Sequence, residues 1–339
     1  MDFINIIRNA WAAYDPSRPI DRVSDISAMV STNHVFKIRL ADKQNIIAKL
    51  SYFGAFEHFV EDHTIINALS NNLPVRYENF LSRALMKGHR LFVHRHKTDE
   101  LDVWVVFYRP IRIRNRMPRR LSGEHIDQLA VEFAKFHKSC HLIRHTLPLS
   151  SKNMTTDINE LARKASQYGP YRDEILRQCD TFLYNTYSIN ANGFDIIPVF
   201  VDWNIGNFSV TATGRFFSRW DYDWFRMSSR VADFYFISRV VSHAGDQSAF
   251  TYNASTLMEP RFLRFLKKYH EVHPLSFEEV LFIKEAYRFF LLNYVIKEGH
   301  NFFLQSFATQ LQRDAFEAHL PTIDQAVQAE QLARALHLS

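Results

Sequence analysis

The chain has 339 residues, a formal charge of +5, and 47% hydrophobic and 14% aromatic side chains, which is enough to bury a sizeable core and long enough for two lobes sharing one cleft. Its two cysteines, Cys140 and Cys179, fall in helix-like patterns, which excludes a disulfide framework and zinc-ligand spacing. No run of about 18 apolar residues is present, and Met1 to Arg8 lack the basic start of a secretion signal, so a soluble, cytoplasmic protein is expected.

Phe3, Ile6, Ile7 and Trp11 have helix spacing, predicting an entry helix over 2–14. From Val30 the period changes. His34 to Leu40 alternates as a strand, Ala41 to Gln44 turns, and Asn45 to Leu50 returns as a second strand carrying Lys49 near its end. The polar triplet Ser31-Thr32-Asn33 precedes this hairpin, where backbone amides and a hydroxyl could meet a phosphate. Phe56 to Leu69 reads as a helix with Phe59, Ile66 and Leu69 on one face, and Asp62 lies on that inward stripe, where a carboxylate wants a cation. Glu61 is the alternative acid.

Leu73-Pro74-Val75 breaks the helix, and Arg90 to His94 and Leu101 to Tyr108 read as strands, the second apolar on both faces. Arg109, Arg112, Arg114, Arg116, Arg119 and Arg120 then crowd one connector. This run suits a solvated link, an anion-recognising surface, or attachment to nucleic acid or acidic lipid. Ser122 is a candidate N-cap for a helix through Ile126, Leu129, Ala130 and Phe133 to His137, a residue expected to pack rather than react. Helices are predicted over 158–165 and 175–183, separated by Gly169-Pro170.

The most informative stretch is Val199 to Asp223. Asp202 is followed five residues later by Asn207, and a hairpin turning at Ala212-Thr213-Gly214 leads to Asp221 and Asp223. Phosphoryl transfer asks a protein to orient a hydroxyl, hold metal on the phosphates and neutralise charge. One or two carboxylates and an amide oxygen suffice for Mg. Asn207 and Asp221 fit as metal ligands, and Asp202, in a turn, fits as the base facing a hydroxyl. With Gly214 left-handed, Thr211 should pair with Arg215 and Asn207 with about Arg219. Asx residues also serve simply as turn caps. Farther on, Ser276 to Glu279 is a capping box opening a helix that should run to about Gly299, and Thr322 to Gln325 is a second box opening the last helix.

These residues resemble the aminoglycoside phosphotransferase and choline kinase-like family, relatives of the protein kinases. The family's catalytic loop, His-x-Asp-x-x-x-x-Asn, matches Asp202 and Asn207, with Phe200 in place of the histidine. Its Ile-Asp-Trp/Phe-Glu/Asp segment matches Asp221 and Asp223. The resemblance extends over about Val30 to Phe236. It implies an α+β, two-lobe protein-kinase-like fold, with a nucleotide-binding lobe over 1–108, a hinge at Phe107 to Pro110, and a mainly helical catalytic and substrate-binding lobe over 109–339. It further implies that Lys49 contacts nucleotide phosphates and pairs with Asp62, that Ser31, Thr32 and Asn33 cover the phosphates, and that Asp233 braces the catalytic loop. The function implied is transfer from ATP or another nucleoside triphosphate, with Mg, to a hydroxyl of a small molecule such as an amino alcohol, hydroxy amino acid or sugar. From Trp224 onward twelve Lys+Arg balance twelve Asp+Glu, which argues against a polycationic aminoglycoside. An aminoglycoside phosphotransferase and a nucleotide-binding pseudokinase or scaffold are the alternative readings.

Overall fold

The computed structural model describes residues 2–28, 31–52, 54–245 and 251–338; Val30, where the period changes, lies outside them. Helix α1, Phe3–Tyr14, is capped by Asp2, whose side chain accepts from Asn5 N, and it buries Ile6, Ile7, Ala10 and Trp11 as their spacing requires. Strand β1, Ile20–Asp25, was not evident from the sequence. It pairs with β2, His34–Leu40, which pairs with β3, Asn45–Ser51. Helix α2 spans Phe56–Asn72. Two short strands, β4 (Met86–Lys87) and β5 (Arg90–Leu91), form their own hairpin. Strands β6, Val93–Lys97, and β7, Asp102–Tyr108, complete an antiparallel sheet of order β1-β2-β3-β7-β6.

Strand period decides what this sheet offers to either side. Phe36, Ile38, Leu40, Ile46, Ala48 and Leu50 pack with α1 in one apolar cluster. Ile47 and Lys49, one residue out of phase, are presented to the other face. A second, larger core joins the inner side of α2 and the end of β7 to the helices that follow.

Helix α3, Gly123–Ile143, opens with a capping box at Ser122. Helix α5, Arg172–Ser188, contains its predicted span, whereas α4, Met154–Arg163, starts earlier than expected and ends two residues short of 165. The functional stretch then begins at β8, Ile197–Val199, and continues through β9, Phe208–Val210, and β10, Phe216–Arg219, to β11, Arg226–Ser228, which pairs back with β8. Helices α6 (Phe234–Val241), α7 (Pro260–Val272) and α8 (Phe277–Phe289) follow.

Both arms of the Ser276 capping box form. The helix it opens passes into a π-helical segment, Phe290–Lys297, before Gly299. The Thr322 box does not form. The Thr322 hydroxyl donates backward to Ala318 O, so the short helix Ile323–Ala326 that follows it has no side-chain cap, and the last helix begins only at Ala329. Among the described residues no helix is long and apolar enough to cross a membrane.

Candidate active site

Leaving β8, the chain reverses within a few residues. Asp202 N donates to Phe200 O at 2.6 Å about Val201, whose φ is +59°. A two-residue closure about a β-branched residue with positive φ is strained, and such strain persists only where the surroundings enforce it. The enforcement is visible. Asp233 Oδ1 accepts from Phe200 N at 2.9 Å and Val201 N at 2.6 Å, while its Oδ2 meets His137 Nε2 at 3.0 Å. His137 Nδ1 in turn meets Tyr269 OH at 2.8 Å. His137 is fully buried, and burial lowers its pKa against the pull of Asp233. A neutral ring donating from Nε2 and accepting at Nδ1 satisfies both bonds. Helices α3 and α7 thereby hold the loop through its backbone.

Within the loop, Asp202 Oδ1 accepts from Asn204 N at 3.1 Å and Oδ2 accepts from Asn207 Nδ2 at 3.0 Å. Asn207 thus spends its nitrogen on Asp202, and its oxygen is the atom suited to a cation. Burial, then the nearby charge of Asp221, pushes the Asp202 carboxyl up to about 6. Gly214 is left-handed at φ +72° and Thr211 N donates to Arg215 O at 2.8 Å, as the turn requires. The far end of the hairpin differs by one residue. A bulge between Phe216 and Ser218 places Arg219 opposite Phe208 and brings Trp220 N to Asn207 O at 3.0 Å.

That bulge also buries Arg219, which the sequence did not flag. Strict alternation would have put it outside with Phe217; the extra residue turns it inward with Ser218. Its guanidinium lies 4.5 Å from the Phe200 ring centroid and 4.3 Å from that of Trp203, and its Nη2 donates to Asp202 O at 2.7 Å. Nε and Nη1 are buried without a partner. Phe200 stands where the resembled family has a histidine, and the Arg219 cation rests on that ring.

Asp221 sits at φ +67°, and Lys49 reaches it at 3.3 Å while also pairing with Asp223. Burial works to lower the Lys49 pKa, but Asp223 and Asp221 outweigh it and the net shift is upward. Burial alone would raise Asp221; Lys49 and the amide of Asp223 bring it below its ordinary value. Asp223 is pushed up by burial despite Lys49, because it must also ionise beside Asp221. Asn33 Nδ2 donates to Asp223 Oδ2 at 2.7 Å. Ser31 accepts from Asn33 N at 3.1 Å and bridges to Phe303, and Thr32 N donates to Phe302 O at 3.3 Å. The polar triplet is therefore tied to the segment after the π-helix.

The expected Lys49–Asp62 pair does not form. Asp62 is paired at 2.6 Å with Lys152, from the loop before α4, and Glu61 accepts from Ser150 Oγ at 2.7 Å and Ser151 N at 2.8 Å. An Asp is one methylene shorter than a Glu, and Lys49 is held instead by two acids that follow β10, Asp221 and Asp223. Burial, against the pull of Lys152, pushes the Asp62 carboxyl up to about 6.

A cavity of about 270 Å³ joins these groups. Val35, Ile47 and Ile111 wall its apolar part, and Ser31, Asn33, Lys49, Asp221 and Asp223 its polar part. A neighbouring cavity of about 370 Å³ shares Asn33, Tyr222 and Asp223 and is lined by Asp62 and Lys152. Among the described residues no group of three or more His, Cys, Asp or Glu is arranged to hold a metal. A two-ligand site completed by water and phosphate needs none.

No family model matches the chain, and no curated protein matches its sequence. Solved structures do match. Amicoumacin kinase hAmiN in complex with AMP-PNP, Ca2+ and Ami superposes with a TM-score of 0.66 at 13% identity, over 98% of this chain and 97% of that one. The gentamicin complex of APH(2")-IIa gives 0.57 at 12% identity over 95% and 97%. A microcompartment-associated aminopropanol kinase gives 0.55 at 13% identity over 99% of both chains. The chain therefore has the two-lobe, protein-kinase-like fold of these small-molecule phosphotransferases, the α+β architecture that its loop and hairpin residues led us to expect.

Proposed function

We propose that the protein is an ATP- and Mg-dependent phosphotransferase acting on a hydroxyl of a small molecule. The observation that carries this reading is the strained loop that sets Asp202 near the charge of Asp221, which with Asp223 and Lys49 lines the polar part of the 270 Å³ cavity. In this reading residues 1–108 bind the nucleotide, with its base against Val35 and Ile47, and residues 109–339 supply catalysis and acceptor binding, with Ile111 closing the base's far side. Lys49 holds phosphate oxygens and Ser31, Thr32 and Asn33 cover them. Asn207 and Asp221 hold Mg, which supplies charge neutralisation on the phosphates. Asp202 orients the acceptor hydroxyl and takes its proton, a task suited by a carboxyl pushed up to about 6. Lys49 pairs with both acids, and a phosphate would compete for it.

The charge balance after Trp224, twelve basic against twelve acidic residues, supports a small acceptor such as an amino alcohol, hydroxy amino acid or sugar over a polycationic one, and the free thiols of Cys140 and Cys179 are in keeping with a cytoplasmic enzyme. Likeness to an aminopropanol kinase is in keeping with the first of these. The test is ADP release with Mg-ATP across a panel of alcohols, amino alcohols, hydroxy amino acids, sugars and aminoglycosides. Acceptor-dependent turnover of a small alcohol is expected. Nucleotide binding with no acceptor-dependent turnover would instead identify a pseudokinase, and efficient turnover of kanamycin-like compounds alone would overturn the acceptor assignment.

A further inference from the structure

The arginine run after β7 does not form a uniformly solvated ribbon. Arg109, Arg112 and Arg114 converge with Arg83, from the connection between α2 and β4, on a concavity of about 580 Å³ outside the hinge. Two of the four are set in place. Arg83 donates to Asn71 Oδ1 at 3.0 Å and Ser70 O at 3.2 Å, and Arg114 lies 4.2 Å from the ring centroid of Phe217.

Some surface arginines elsewhere find carboxylates, as Arg95 does with Asp102, Arg177 with Glu174 and Arg264 with Asp127. Around this concavity Glu78 is the single acid on the wall, and none of the four arginines forms an ion pair among the described residues. Like charges gathered without counterions raise the local potential and favour an anion. Guanidinium groups bind phosphate in bidentate fashion, and arginines on two walls exceed what one phosphate can engage. The volume falls within the range of small-ligand sites. A nucleic-acid strand would need stacking surfaces, and Phe217, the one aromatic on the wall, is already covered by Arg114.

We propose that this concavity binds a compact anion carrying two or more phosphate groups. Because Arg109 and Ile111 line both it and the 270 Å³ cavity, its occupant and a ligand of that cavity share a wall and alter each other's affinity reciprocally.

The experiment titrates inorganic tripolyphosphate by calorimetry into three full-length proteins: wild type, the double variant Arg112→Gln/Arg114→Gln, and Lys49→Met. Thermal melts confirm that the exposed substitutions leave folding intact. Binding to wild type is expected, weakened about tenfold or more in the arginine variant and retained in Lys49→Met. Loss in Lys49→Met with retention in the arginine variant would place the anion in the other cavity and overturn the proposal. So would no binding to wild type, or preference for single-stranded DNA with affinity that grows with oligonucleotide length.

Discussion

Around Asp202 the supports are neutral or backbone-directed hydrogen bonds from buried groups on α3, α7 and β10, whereas around Lys49 they are ion pairs with acids that a phosphate or a cation could displace. The first region holds one conformation, including a positive φ at Val201, at an energetic cost the rest of the fold absorbs. The second holds charges whose pairing depends on what else occupies the cleft. Under the proposed function, position is fixed where a hydroxyl would be aimed, and pairing is left exchangeable where a nucleotide would enter and leave.

The largest expected effect falls on the fixed side. Asp202→Asn keeps the turn but loses the carboxylate, and kcat should fall roughly 100- to 10,000-fold with Mg-ATP binding nearly intact. A variant that retains most of its turnover would remove Asp202 from the reaction. On the exchangeable side, Asp221→Ala should abolish the Mg dependence of nucleotide binding measured by calorimetry, whereas Asn207→Ala should only weaken the affinity for Mg. If Asp221→Ala remains fully Mg-responsive, the metal is held elsewhere.

Arg219 sharpens the comparison, because it is a buried cation on the fixed side. Its desolvation is only partly repaid by one carbonyl and two aromatic faces, with Nε and Nη1 unpartnered. Arg219→Met should therefore leave the melting temperature unchanged or higher and lower kcat by about 100-fold through loss of loop positioning, with little change in nucleotide affinity. Stability and kcat falling together would make Arg219 a packing residue instead.

The smallest effect concerns Asp62. Its carboxyl titrates at about 6 in the folded protein against an ordinary value of 3.8, so between these pH values the folded state binds the extra proton. Stability contributed by Asp62 is therefore lost as pH rises from about 4 to 6, by roughly 3 kcal/mol at most. Urea unfolding of wild type and Asp62→Asn at several pH values should show a steeper loss in wild type, because Asp202, also pushed up to about 6, contributes to both. Parallel slopes would mean that Lys152 holds Asp62 ionised throughout.

The sequence by itself determined what local periodicity and turn chemistry control. Alternation in β2 and β3 set Lys49 against the core-facing Ala48 and Leu50, Gly214 set the hairpin, Ser276 set a helix start, and the spacing of Asp202, Asn207 and Asp221 made the loop legible. Partners across the chain were another matter. Whether Asp62 meets Lys49 or Lys152 turns on one methylene and on which cation the fold brings within reach. Arg219 is buried only because a single extra residue in β10 reverses the side it faces. A period is written in neighbouring residues, but the choice among ion-pair partners and the placement of a bulge depend on distances between segments far apart in the chain, and only the tertiary structure fixes those.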